Sequence, residues 1–303
     1  MEALLSPKDV CRTLKRFENL LHKRKEYPGI LLGSSPRDVV FVGDLHGDLT
    51  VLGHIRQEFF GKAVLVFLGD YIDRSPKDNP TGSVQTFLEM VDMNLRSPDE
   101  VYMLRGNHET YSHLEFTPHE LPLEIAKAFG EGGEGVLAQF EACFEALPLF
   151  IVTQSGIFAS HGGILQNVLG REDMFKVAPG DEEALLFLTW GDPTASSTYR
   201  GDISKKVNYT QEQLVAFLGS IGASVMLRGH DYTTLGYALY GDRLLTLFTS
   251  RRYKDKGRGG IIVARTRLDK EVRSVFELEV LELRDAAWVP YTIGGFGVKD
   301  PDI

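Results

Sequence analysis

Aspartates and histidines gather at the ends of apolar runs in this chain. The run Asp38-Val39-Val40-Phe41-Val42 ends in Gly43 and gives way to Asp44, His46 and Asp48. Asp70 closes "KAVLVFLGD", Asn107 and His108 close "EVYMLRGNH", His161 follows "GIFAS" and His230 follows "SVMLRG". Asp and His are the ligands that Mn²⁺, Fe²⁺ or Zn²⁺ take where no thiolate is offered. Asp44 and His46 stand two positions apart, so in extended backbone both side chains reach the same side. Singly, each feature has a plainer account: a strand ending in Gly-Asp is commonly a turn, and a lone buried His is commonly a hydrogen-bonded core residue. The recurrence decides against it. Of the 8 histidines, His46, His108, His161 and His230 sit at strand ends in Gly-flanked turns, whereas His22, His54, His113 and His119 lie in helix-like or loop segments without that context. Gly43, Gly69, Gly106 and Gly229 each precede a polar residue, where the backbone must turn and approach a ligand closely.

The elements that must position these residues repeat one arrangement, a short apolar run, a glycine-rich polar turn, and often a helical period. Val84, Phe87, Leu88, Val91 and Leu95 fall on one face of a helix begun by Thr81 or Ser83. Strands apolar almost throughout, alternating with helices, predict sheets covered by helices. An amphipathic helix over 6–25 opens the chain, with Ser6 as N-cap, Pro7 in the first turn, and Val10, Leu14, Phe17 and Leu21 on one face. Residues 110–150 read as two helices joined by a flexible "GEGGEG". After residue 235 the pattern turns all β, with a tight turn at Tyr240-Gly241-Asp242-Arg243. The tail "GGFGVKDPDI" has no periodicity and is expected to lie loosely on the surface. Site candidates run from 44 to 253 and no linker or repeat interrupts them, so residues 1–303 are expected to form one domain with its core at about 35–285.

A chain of 303 residues with 43% hydrophobic and 25% charged content has ample material for a core. The net charge of −9 argues against a nucleic-acid partner, which would call for a basic surface. No window approaches a membrane span or a signal peptide, so no membrane association and a cytoplasmic location are expected. The 2 cysteines, Cys11 and Cys143, fall in helix-like segments, and Cys143 belongs to the apolar stripe of Phe140, Phe144 and Leu147.

GDLHG at 43–47, GDYIDR at 69–74, GNHE at 106–109, HGG at 161–163 and RGH at 228–230 together resemble the metallophosphoesterase signature. More narrowly the chain resembles the phosphoprotein phosphatase family of serine/threonine protein phosphatases. The likeness continues through "FEACFEALPLFIV", "LTWGDP" and "YTQEQLVAFLGSIGASVMLRGH" and covers roughly residues 35–265. It implies an α/β fold in which two mixed sheets form a β-sandwich flanked by helices, with a dimetal site at the C-terminal ends of the strands. Asp44, His46 and Asp70 would hold one ion, and Asp70, Asn107, His161 and His230 the other, with Asp70 bridging. Mn, Fe or Zn suits this set of nitrogen and oxygen ligands. Two ions about 3.5 to 4 Å apart would acidify a bridging water and clamp the phosphoryl oxygens. Arg74 matches the family's phosphate-binding arginine and Arg200, in "YRGDIS", the second. His108 matches the general acid, Asp73 the carboxylate that orients it, and Tyr253 a tyrosine over the metals. The implied substrate is a phosphoprotein carrying phosphoserine or phosphothreonine, with phosphotyrosine a further option; regulatory subunits are not indicated.

Two positions depart from the family pattern. Ser75 stands where a glycine usually follows Arg74, and the C-terminal "SAPNYC" loop reads "TSRRYK", adding Arg251, Arg252 and Lys254. A diadenosine polyphosphate or other small phosphoester hydrolase is the rival reading, because related enzymes share GDxHG and GNH; Glu109 favours the protein phosphatase. A catalytically silent binding module would lack ligands, and none is missing.

Overall fold

The computed structural model describes residues 6–194, 207–254 and 260–295. Two mixed sheets carry the chain. One has 7 strands in the order Gly29–Leu32, Phe150–Thr153, Ile157–Ser160, Val225–Arg228, Leu244–Thr246, Tyr237–Leu239 and Gly294–Gly295. The other has 6, in the order Ala287–Pro290, Glu279–Arg284, Ile262–Arg267, Asp38–Val42, Val64–Phe67 and Val101–Met103. In the second sheet the strands ending in Val42, Phe67 and Met103 run parallel, with Val42 opposite Phe67 and Phe67 opposite Met103. Their three polar ends therefore emerge along one edge. In the first sheet the strands ending in Ser160 and Arg228 are also parallel neighbours.

Side-chain alternation explains the layers. Val39, Phe41, Val64 and Val66 turn inward and pack with Ile151, Ile157, Leu227 and Leu245 of the facing sheet. Val40, Val42, Leu65 and Phe67 turn outward, against the helices Pro7–Arg24, Leu49–Phe59, Gly82–Arg96 and Gly133–Ala146. Phe150, Phe158 and Met226 do the same for the helices Glu182–Trp190 and Gln211–Ile221. Strands covered on both faces must be apolar at both parities, which is why their sequences read as unbroken runs. The fold is the helix-flanked two-sheet sandwich that the sequence implied.

The first helix is capped by the Ser6 side chain, which accepts the Asp9 amide, and it buries Val10, Leu14, Phe17 and Leu21. Cys143 is buried, and its thiol donates to the Leu14 carbonyl. Two expectations need correction. The "GEGGEG" stretch is not a flexible loop, because Gly130–Gly132 forms a 3-10 turn hydrogen-bonded back to Ala126 and the next helix starts at Gly133. The start of the tail is not loose, because Gly294–Gly295 pairs in parallel with Tyr237–Leu239 and the Gly294 amide donates to the Gly236 carbonyl at 2.9 Å. A free sheet edge is satisfied by any backbone that reaches it, so no side-chain period is needed there. Among the described residues no helix is long and apolar enough to cross a membrane.

Glu26, just beyond the first helix, is 5% exposed and lies 3.0 Å from the Arg24 guanidinium. Burial lifts its pKa to about 7; Arg24 offsets part of this and Asp99 adds to it. A folded-state pKa above the unfolded value of 4.5 means stability that is fully present below that value and lost as pH rises through about 7. The whole swing is about 3 kcal/mol. Glu26→Gln should therefore flatten the pH dependence of chemical denaturation and be the more stable protein at about pH 8. Identical pH profiles for the two proteins would contradict this account.

Candidate metal centre and phosphoester site

The strand ends converge between the two sheets. His46, Asp70 and His108 bring one donor atom each to within 4.8 Å of one another, and so do Asp70, His161 and His230. Asp70 belongs to both groups, and its two oxygens divide between them. Oδ2 lies 3.5 Å from His46 Nε2, and Oδ1 lies 3.3 Å from His161 Nε2. Asn107 Oδ1 stands 2.9 Å from His161 Nε2 and 2.8 Å from His230 Nδ1. Asp44 Oδ2 is 3.8 Å from His46 Nε2, while Oδ1 accepts the His230 amide at 2.8 Å. All seven side chains are buried.

Backbone carbonyls fix which way two of the imidazoles face. Nδ1 of His46 meets the Ile72 carbonyl at 3.0 Å, and Nδ1 of His161 meets the Leu68 carbonyl at 2.9 Å. A carbonyl can only accept, so each Nδ1 carries its hydrogen and Nε2 is the ring nitrogen left to face the cluster. The charge balance agrees with a cation site. Burial alone would depress His161, yet the carboxylates of Asp70 and Asp44 raise it to about 9. That negative field, here drawing a proton onto a histidine, is the field a divalent cation would neutralise. Buried carboxylate, amide and imidazole donors with no thiolate fit hard or borderline divalent ions.

Unusual backbone holds the donors in place. His46, Asp70, Asp73, Arg74 and His230 all adopt positive φ, between 46° and 71°. Such conformations cost about 1–3 kcal/mol each and persist where the surroundings enforce them. Here the Leu45 and His46 amides both donate to the Asp70 carbonyl, at 3.0 and 2.9 Å. The Glu109 carboxylate accepts the amides of Asp70, Tyr71 and Gly106, at 2.9, 2.8 and 2.9 Å, and so ties two strand ends together. The reason for Gly43 also becomes clear. A Cβ there would lie 2.1 Å from the Leu247 carbonyl oxygen, so the glycine admits the facing strand rather than the ion.

Beside the ligands stands an acid–carboxylate pair. His108 Nδ1 lies 2.7 Å from Asp73 Oδ2, and its Nε2 faces the cluster, 3.8 Å from Asp70 Oδ2. Burial would raise Asp73, but hydrogen bonds from His108 and His119 hold it below the ordinary carboxylate range. Arg74 Nη1 donates to the Tyr253 hydroxyl at 2.9 Å, and the Tyr253 ring lies 5.6 Å from that of His46. Residues 38–233 match the calcineurin-like phosphoesterase family. The chain belongs to that family.

Similar proteins have names consistent with this membership. A probable serine/threonine-protein phosphatase of Encephalitozoon cuniculi is 26% identical over 247 residues, covering 76% of this chain and 50% of that protein. The chain thus spans about half the length of that relative. A protein serine/threonine phosphatase from Saccharomyces cerevisiae, described as similar to human phosphatase PP5, superimposes with a TM-score of 0.73 at 19% identity over 99% of this chain and 92% of its own. A cold-active protein-tyrosine phosphatase of a psychrophilic Shewanella species does so with 0.51 at 14% identity over 86% and 81%. At these identities the structural likenesses speak for the fold alone.

The departures from the family pattern acquire contacts in this phosphoesterase. Ser75 is buried, and its hydroxyl donates to Glu124 Oε1 at 2.8 Å while accepting the Ser83 amide at 2.9 Å. In the 249–254 loop, Arg251 pairs with Asp48 and Asp78, and Arg252 donates to the Ser75 carbonyl at 3.0 Å. Asp48 caps the helix Leu49–Phe59 by accepting the Val51 amide, so Arg251 clamps the loop to that helix start. Arg200 lies outside the described residues. The structure brings the other sequence-predicted site residues to one place. His119, set aside by the sequence pattern, joins them, since its Nδ1 lies 3.0 Å from Asp73 Oδ2. Phe116 and Trp190 were also missed; their rings lie 4.5 Å from His108 and 5.7 Å from His230. No sequence period marks His119 and Phe116, which lie in a loop, and Trp190 is the last residue of the helix Glu182–Trp190.

Proposed function

We propose that this phosphoesterase is a metal-dependent phosphomonoester hydrolase that removes phosphate from phosphoserine and phosphothreonine in proteins. The observation that carries the reading is the division of Asp70's two oxygens between two donor groups, with the His108–Asp73 pair at their edge. One divalent ion would be held by Asp44, His46 and Asp70, and a second by Asp70, Asn107, His161 and His230. Bound there, Mn²⁺, Fe or Zn²⁺ would supply Lewis acidity, neutralising phosphoryl charge and acidifying an attacking water. Arg74, braced by the Tyr253 hydroxyl, binds phosphoryl oxygens through its guanidinium fork, and Arg200 takes the second such role. A serine alkoxide leaves poorly without a proton. His108 supplies it from Nε2, while Asp73 at Nδ1 fixes the ring and stabilises its charged form. Phosphotyrosine fits the same machinery, since a phenolate leaves more readily.

We further take residues 1–303 as one catalytic domain, because the donors come from both sheets and any boundary would divide them. A cytoplasmic, reducing setting suits Cys11 and Cys143, which are unpaired. The rival activity on a diadenosine polyphosphate is separated by comparing catalytic efficiency on that compound and on phosphopeptides with added Mn²⁺. Preference for the dinucleotide would overturn the phosphoprotein assignment. His108→Ala should lower turnover of a phosphoserine peptide by about 10² to 10⁴-fold, the usual contribution of a positioned general acid. Wild-type rates in that variant would remove His108 from the role.

A further inference from the structure

We propose that His119 is a positioning residue for the proton donor His108 and acts on it through Asp73, an inference that rests on the phosphomonoesterase reading above. A carboxylate offers about four lone-pair sites. In Asp73 all of them are filled from the protein. Oδ1 accepts the amides of Glu120 and Leu121, each at 2.7 Å, while Oδ2 takes His108 Nδ1 at 2.7 Å and His119 Nδ1 at 3.0 Å. Asp73 is fully buried, so any acceptor site left empty there would be desolvated without compensation. His119 is the only one of the four donors that could be exchanged without disturbing either the backbone or the acid itself.

The His119 ring is held flat. It stacks on Tyr111 with centroids 4.0 Å apart and planes 16° apart, and meets Phe116 edge-on at 5.7 Å. Phe116 in turn lies 4.5 Å from His108. The two imidazoles thus share an aromatic neighbour and one carboxylate oxygen. Two N–H groups on Oδ2 hold that oxygen from both sides, and an oxygen so fixed keeps the His108 ring in place with its Nε2 turned to the cluster. In the step itself the oxygen of a water that has released one proton to solvent bonds phosphorus, the P–O ester bond breaks, its electron pair goes to the departing oxygen, and the Nε2 proton of His108 follows it. His108 is left neutral with Nδ1–H still on Asp73, and His119 exchanges no proton.

A brace of general structural value would slow every substrate alike, whereas an effect exerted through the proton donor depends on the leaving group. The test compares kcat on a phosphoserine peptide, whose alkoxide needs a proton, with kcat on 4-nitrophenyl phosphate, whose phenolate does not. His119→Ala should lose on the order of tenfold on the peptide and about threefold or less on the aryl ester, a fraction of the full general-acid contribution. His119→Asn keeps an N–H donor close to the Nδ1 position and should recover most of the peptide rate, which also guards against misfolding of the alanine variant. In a His108→Ala background, His119→Ala should cost nothing more on the peptide. Equal losses on both substrates, or a further loss in that background, would overturn the role. A wild type active on the aryl ester with no leaving-group selectivity in the variants refutes His119 alone; a wild type inactive on the peptide refutes the proposed function and this role with it.

Discussion

Asp70→Asn should lower phosphoester turnover by about three orders of magnitude or more, since charge stabilisation at a two-ion site is worth several kcal/mol. The substitution preserves shape and removes one negative charge from the only side chain common to both donor groups. It also replaces an acceptor by an NH₂ donor. Whichever way the amide turns, that donor faces either His46 Nε2, near Oδ2, or His161 Nε2, near Oδ1. One ion would thus lose its bridging ligand and meet a partial positive charge instead. Elemental analysis after dialysis should show metal content falling from about two ions per chain to one or fewer. Circular dichroism should be little changed, because Oδ1 mainly serves the His108 amide, at 3.0 Å, and an amide oxygen can replace it there. Full metal content together with a wild-type rate would dispose of the bridging assignment.

What could be read from the sequence follows from where side chains attach to regular structure. Asp44, Asp70, Asn107, His161 and His230 each follow an apolar run closely, so a break in strand periodicity marks them and the parallel pairing of Val42, Phe67 and Met103 gathers the first three. Arg74 and Tyr253 are 179 positions apart, and only the resemblance to known phosphatases assigned both to the site, in separate roles; their hydrogen bond is a finding of the structure. His119 could not be read at all. Its contact with Asp73 spans 46 positions and depends on a loop whose course is set by Tyr111 and Phe116, residues with no period of their own. Glu109 was read as a mark of family and works as a tie between two strand ends. The ordered glycines at 130–133 and the edge strand Gly294–Gly295 were misread for one reason. Backbone hydrogen bonds, which carry no side-chain signature, decide both.

Gly69→Ala should be the most destabilising small substitution at the site, at about 3–5 kcal/mol, combining a disfavoured backbone with overpacking. Gly69 has φ +107°, where side chains are rarely tolerated, and a Cβ there would stand 2.5 Å from both Cα and N of Gly106. Those atoms are backbone. They belong to the turn after Met103, which is tied to the Val64–Phe67 strand by the Leu104 amide donating to the Phe67 carbonyl at 2.8 Å. Neither strand end can retreat without moving Asp70 or Asn107, so activity should fall even in protein that remains folded. Against a total stability of about 5–15 kcal/mol such a loss is large, and the melting temperature should drop by roughly 10 °C. Gly61→Ala separates the two causes, because Gly61 also has positive φ, +75°, but nothing lies within 4 Å of its Cβ direction. That variant should lose only the backbone part, about 1–2 kcal/mol, and keep full activity. If thermal unfolding shows Gly69→Ala no less stable than Gly61→Ala, the close approach of the two strand ends is not what requires glycine at position 69. If it is less stable, the glycines of GDYIDR and GNHE are there so that two backbones can touch, which sets the spacing between Asp70 and Asn107.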